Sequence, residues 1–213
     1  MINCRENNII TLCAEYAAIA HIGQTRKDLI TPYIVHPGRV ASLVSRWSDY
    51  YVYIASAWLH DVVEDCSLVI DGEIIVNNHS KHKNIKQFLT ESEISFHNNR
   101  NMGEYIWETV LALTMSQDKT LPKKIRKEMY YKQLLEAGYG AILIKCCDRI
   151  DNLATVNHFS QGGFKWYIKD TEVLMSYIGE DLKKSYLEAY GLLEEMLDNA
   201  KKEYVELYGE SHD

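Results

Sequence analysis

HDVVED, residues 60–65, sets an imidazole and three carboxylates between two apolar runs, SAWL at 56–59 and CSLVI at 66–70. On a continuous helix His60 lies over Glu64 and Asp61 over Asp65, both pairs four residues apart on one face. Such a group repels and desolvates itself unless a cation, arginines or water compensate it. The fold must therefore supply a partner for this face.

Most segments outward from HDVVED carry a helical period, and the chain has only three prolines and eleven glycines. Residues 7–22 place Ile9, Leu12, Cys13, Tyr16 and Ala20 on one face. After the TPYIVHP loop at 31–37, Pro37 suits the first turn of a second helix running to about Trp47. Asp49 is placed to cap a third helix that contains HDVVED. Further helices are expected over 103–116, 121–137, 139–156, 164–179 and 180–208, the last with Tyr186, Leu193 and Leu197 along its apolar stripe. The fold class is all-α, a helical bundle. The exception is SLVIDGEIIVNN at 67–78, where β-branched runs flank Asp71-Gly72 as in a hairpin. Residues 67–102 are expected to form an excursion of hairpin, loop and short helix inserted into a single domain spanning 1–213.

The 213 residues are 46% hydrophobic and 25% charged, the balance of a globular protein with one sizeable core. No run of about 20 apolar residues would cross a membrane. The N-terminal MINCRENNIITLC lacks the apolar centre of a signal peptide. The five cysteines, Cys4, Cys13, Cys66, Cys146 and Cys147, form no CxxC pair, and reduced thiols in a cytoplasmic protein are expected. A net charge of −7 argues against nucleic acid as a partner. Local basic clusters remain available to a small anion: Arg26-Lys27, and KKIRK at 123–127.

Two more segments supply atom types that HDVVED lacks. His36 ends the PYIVHP loop just before a helix. IKCCDRIDNL at 144–153 puts Asp148 amid apolar positions, with Asn152 one turn later on the same face. Together His36, His60, Asp61 and Asp148 would make a mixed nitrogen and oxygen site suited to Mn²⁺, Fe²⁺ or Zn²⁺. Each residue alone has an ordinary explanation, as a loop histidine, a surface charge or an ion pair. The combination carries the reading. His79, His82 and His97 fall in the polar excursion and are taken as solvated.

These segments, in their order along the chain, resemble the HD-domain hydrolases of the RelA/SpoT type, and the small alarmone hydrolases in particular. The matching stretches are AAIAHIGQTRKD (17–28), TPYIVHP (31–37), ASAWLHDVVEDC (55–66), ALT (112–114), DKTLPKKIRK (118–127) and IKCCDRIDNLATV (144–156). The resemblance implies that His36, His60, Asp61 and Asp148 bind a metal, normally Mn²⁺. It implies that Glu64 and Asp65 activate the hydrolytic water and that Asn152 positions water or phosphate. Arg26 and Lys27 would contact the nucleotide, Lys123 would reach phosphate, and Lys169 is a looser basic match. The implied reaction removes the 3′-pyrophosphate from (p)ppGpp, giving GDP or GTP and pyrophosphate, in a cytoplasmic stringent-response enzyme without membrane or nucleic-acid partners.

Three departures bear on that reading. Family members commonly read RKDGTPYI, whereas this chain reads RKDLITPYI, with Leu29-Ile30 for the glycine and one residue more. Asp151 stands where histidine or tyrosine is common and adds negative charge to the site if it faces inward. The excursion between ED and ALT is long, and no synthetase segment is recognisable, so a hydrolase alone is expected. The alternatives are an HD phosphohydrolase acting on ppApp or the 2′-phosphate of NADPH, and a non-catalytic nucleotide sensor. The intact acidic and imidazole positions argue against the last.

Overall fold

The computed structural model describes residues 2–66, 68–70, 73–75, 85–89, 101–116 and 118–209. The helices are α1 (Cys4–Ala20), α2 (Val35–Trp47), α3 (Tyr51–Leu59), α4 (Val62–Asp65), α5 (Met102–Leu113), α6 (Lys123–Ala137), α7 (Tyr139–Leu153), α8 (Gln161–Ser185) and α9 (Leu187–Tyr208). A short helical segment occupies 85–89, and a 3₁₀ turn spans Val156–His158. The bundle is all-α apart from one antiparallel pair, β1 (Leu68–Ile70) with β2 (Glu73–Ile75), where Leu68 faces Ile75. The strand pair therefore forms where the β-branched runs place it. Residues 71–72, expected to form the turn, and most of the 67–102 excursion lie outside the described residues. No described helix is long and apolar enough to cross a membrane.

Several boundaries differ from expectation for local reasons. Helix α1 starts at Cys4 because Asn3 accepts from the amides of Arg5 and Glu6 at 3.0 Å while Glu6 accepts from the Asn3 amide at 2.8 Å. Asp49 does not cap the third helix. That helix begins at Tyr51 with no side-chain cap, and Ser48 instead accepts from the Tyr50 amide at 3.2 Å. The C-terminal break falls at Tyr186 (φ −143°, ψ 64°) rather than near residue 179. Most consequential, the helix holding HDVVED is interrupted at His60-Asp61, so α3 and α4 are separate.

Helix α7 is the centre of the bundle, buried from Gly140 to Ile144 and again from Cys146 to Asp151. Helices α2, α6, α8 and α9 pack around it in one apolar cluster. A second cluster joins α1, α3, α4, α5 and the 85–89 segment, with Ile85 and Leu89 fully buried. Gly140 lets α7 approach α3 closely, because a Cβ there would overlap the Tyr53 ring. This approach matters for the site, since α3 leads into His60 and α7 carries Asp148.

Candidate active site

His36 sits in the first turn of α2, His60 and Asp61 at the interruption between α3 and α4, and Asp148 on α7. His36, His60 and Asp148 bring ligand atoms within 4.8 Å of one another, and Asp61 adjoins both imidazoles. His36 Nε2 lies 3.3 Å from Asp61 Oδ2 and 3.2 Å from Asp148 Oδ1, and His60 Nε2 lies 3.2 Å and 3.9 Å from the same two oxygens. Neighbouring ligands about 2.1 Å from one ion sit roughly 3.0–3.5 Å apart, so most of this spacing fits a shared cation. The tautomers fit as well. His60 Nδ1 donates to the Ala57 carbonyl at 2.7 Å, and His36 Nδ1 donates to Asp151 Oδ2 at 2.7 Å. In the neutral rings both lone pairs then rest on Nε2 and face the centre. His60 Nε2 is buried without a hydrogen-bond partner among the described residues. A buried polar atom so placed calls for an electrophile.

The electrostatics agree. Burial alone would lower both imidazoliums, but the surrounding carboxylates raise His36 well above its ordinary value and His60 to about 9. Burial disfavours the Asp61 and Asp148 carboxylates, yet His60 and His36 for Asp61, and Lys145 and the two imidazoles for Asp148, hold both well below the usual range. The cluster attracts positive charge, whether as protons or as a cation. In the metal-free protein the His60 contribution to stability is complete below pH ~6.5 and lost as pH rises through about 9. Thermal melts of metal-free protein are therefore expected to fall across that interval, and a flat profile would contradict this charge balance.

The interruption at His60-Asp61 corrects the simple helical picture of HDVVED. Asp61 (φ −97°, ψ −9°) turns its carboxylate toward both imidazoles, while Glu64 and Asp65 close the short helix α4. Glu64 accepts from the Met115 amide, which ties it to the segment after α5. Burial pushes its carboxyl up to about 7 against the opposing pull of Lys145 and that amide. Tyr33 bridges the other two acids, its hydroxyl 2.8 Å from Asp61 Oδ2 and 2.9 Å from Asp65 Oδ2. One hydroxyl proton serves one carboxylate at a time unless Asp65 is itself protonated. Desolvation and the Asp61 charge raise Asp65 in that direction.

The expected substrate-contacting residues divide into two places. Arg26 reaches the centre: Nη2 donates to Asn152 Oδ1 at 2.8 Å, and Asn152 Nδ2 donates to Asp148 Oδ1 at 2.6 Å. The longer loop does not carry Arg26 away. Its amide bonds the Thr31 carbonyl at 2.8 Å, and Leu29 absorbs the turn with a left-handed φ of 62°. A glycine would take that conformation without strain; in leucine it costs about 1 kcal/mol. Lys27 is exposed beside Arg26. Lys123 and Lys169 instead line a separate groove of about 500 Å³ with Lys127, Tyr131, Trp166 and Asp170. The Lys123 and Lys127 ammoniums lie 4.7 Å and 4.1 Å from the Trp166 ring centre. At the groove's edge Asp170 Oδ2 accepts from Arg149 at 2.7 Å, and Arg149 follows Asp148 on α7.

Two site residues, Tyr33 and Lys145, escaped the sequence reading. Tyr33 was visible in TPYIVHP but had no chemical partner in sequence. Lys145, whose Nζ lies 2.7 Å from Asp148 Oδ2, precedes Asp148 by three residues on the same helix, a spacing that could have indicated it. Asp151 does face inward, against His36, where it can also be approached by Arg26.

A human protein named guanosine-3′,5′-bis(diphosphate) 3′-pyrophosphohydrolase MESH1 is 30% identical to this chain over 154 residues, covering 71% of each. The chain belongs to the MESH1 family. Its zebrafish (Danio rerio) MESH1 relative is 26% identical over 201 residues, covering 87% of this chain and 97% of that one. No protein-family profile matches the chain. A solved structure described as a metazoan ortholog of SpoT that hydrolyzes ppGpp superposes with a TM-score of 0.64 at 23% identity, covering 90% of this chain and 94% of that one. That likeness is one of fold: the helical architecture is shared over nearly the whole length.

Proposed function

We propose that this chain is a metal-dependent hydrolase that removes the 3′-pyrophosphate from (p)ppGpp, yielding GDP or GTP and pyrophosphate. The observation that carries the proposal is the convergence of His36 Nε2, His60 Nε2, Asp61 Oδ2 and Asp148 Oδ1, beside a carboxyl at Glu64 raised toward neutrality. Membership of the MESH1 family supports the substrate. His36, His60, Asp61 and Asp148 would hold the ion, which we take to be Mn²⁺, with Fe²⁺ and Zn²⁺ compatible with the same donors. When bound, such an ion acidifies water and offsets charge on a phosphoryl group.

The chain's own residues do the rest. Glu64 accepts the proton of the attacking water, and Asp65, held by Tyr33, orients or shares it. Asn152 fixes Asp148 and, through its carbonyl oxygen, the Arg26 guanidinium. Arg26 and Lys27 offset nucleotide charge, and a planar guanidinium at 26 can also stack on a purine. Lys123 and Lys169 offset pyrophosphate charge from their groove, in a protein whose net charge of −7 would otherwise repel the substrate. The substrate is thus a small cytoplasmic nucleotide rather than nucleic acid or membrane.

Lys123→Ala is expected to raise KM for ppGpp about tenfold while kcat changes less than about threefold, the loss of one charge-assisted contact. An unchanged KM would place the phosphates elsewhere. The function itself is tested by a panel of ppGpp, pppGpp, ppApp and NADPH with product identification. Preferential pyrophosphate release from the guanosine compounds is expected. Preferential turnover of ppApp or of the NADPH 2′-phosphate would overturn the substrate while keeping the metal chemistry.

A further inference from the structure

Asp151 is a buried carboxylate, 5% exposed, on the face of α7 toward α2. Its Oδ2 accepts from His36 Nδ1 at 2.7 Å and lies 3.7 Å from Arg26 Nη2, while its Oδ1 lies 3.7 Å from Arg39 Nη1. Two guanidiniums thus flank the charge without taking the hydrogen bond that His36 provides. Asp151 stands three residues after Asp148, so one helix turn supplies both a donor atom to the centre and the support of another. The contrast with His60 is informative: its Nδ1 is held by a neutral carbonyl, that of Ala57.

We propose that Asp151 is a positioning residue that fixes His36 as an Nε2 donor to the divalent cation. Its carboxylate locks the proton on Nδ1, sets the ring orientation, and makes Nε2 a stronger donor than a carbonyl partner would. Because Arg26 approaches the same carboxylate, Asp151 also links the nucleotide-facing arginine to the ligand set.

The inference rests on the metal reading of the site, and one titration separates the two. Metal-stripped wild-type protein, Asp151→Asn, Asp151→Ala and His36→Ala are titrated with Mn²⁺ by calorimetry, and with Co²⁺ while its visible spectrum is recorded. Wild type is expected to bind, and His36→Ala to lose most of that affinity. Asp151→Ala is expected to bind about 10–100-fold more weakly with a shifted Co²⁺ spectrum. Asp151→Asn keeps an acceptor oxygen in place without its charge and is expected to fall between; it decides the matter if the alanine variant fails to fold. Wild-type affinity within twofold and an unchanged spectrum in the folded Asp151 variants would overturn the inference and leave the metal site standing. Absence of binding by wild type would overturn the metal reading, and the inference with it.

Discussion

Glu64→Gln is expected to bind the divalent cation as wild type does and to lose turnover by about 10²–10⁴-fold, the range of a removed general base. The substitution is nearly isosteric, and the side-chain carbonyl oxygen of glutamine can still accept from the Met115 amide, so the segment after α5 should stay in place. Only the proton acceptor goes. The pH profile carries the same signature with a definite sign. Glu64 is active as the carboxylate, and burial pushes its carboxyl up to about 7. A bound dication nearby would draw that value down, so wild-type kcat should rise about tenfold per pH unit along an acid limb that ends at or below pH ~7, and the variant's residual activity should lack this limb. An unchanged kcat in Glu64→Gln would remove Glu64 from the proton role, leaving Asp65 as the candidate.

Asp61→Ala is expected to abolish both metal binding and activity. Asp61 Oδ2 is within 3.3 Å of both candidate Nε2 donors, so its loss opens the centre on one side and removes the charge that helps hold His60. Affinity for Mn²⁺ should fall by at least about 100-fold and kcat/KM should drop to background. Tyr33 would then keep only Asp65 as an acceptor, so the folded variant should still melt cooperatively. Retention of wild-type Mn²⁺ affinity in folded Asp61→Ala would mean that the ion, if bound, sits elsewhere.

Much of this site was legible because short-range chemistry reports itself in sequence. The adjacent His60-Asp61 pair, His36 before Pro37 and Asp148 amid apolar neighbours each broke a local pattern, and the structure brings all four side chains together. The interruption at His60-Asp61 was not legible, since HDVVED has a valid register on an unbroken helix and only tertiary contacts with His36 and Tyr33 favour the turn. The capping box at Asn3 and Glu6 was present in the sequence and went unused, which is why α1 starts earlier than its apolar period does. Lys123 and Lys169 belong together in one groove although 46 residues separate them, a pairing that the packing of α6 against α8 creates. The Leu29-Ile30 departure altered the turn without removing Arg26 from Asn152, because one residue in a left-handed conformation absorbs the insertion.

The most direct measurement is product analysis of ppGpp incubated with metal-stripped protein, with and without added Mn²⁺. Release of GDP and pyrophosphate in equal amounts, only when the ion is present, is the predicted result. Turnover that proceeds equally in rigorously metal-free protein, or no turnover of ppGpp by protein shown to have bound Mn²⁺, would contradict the assignment of this centre.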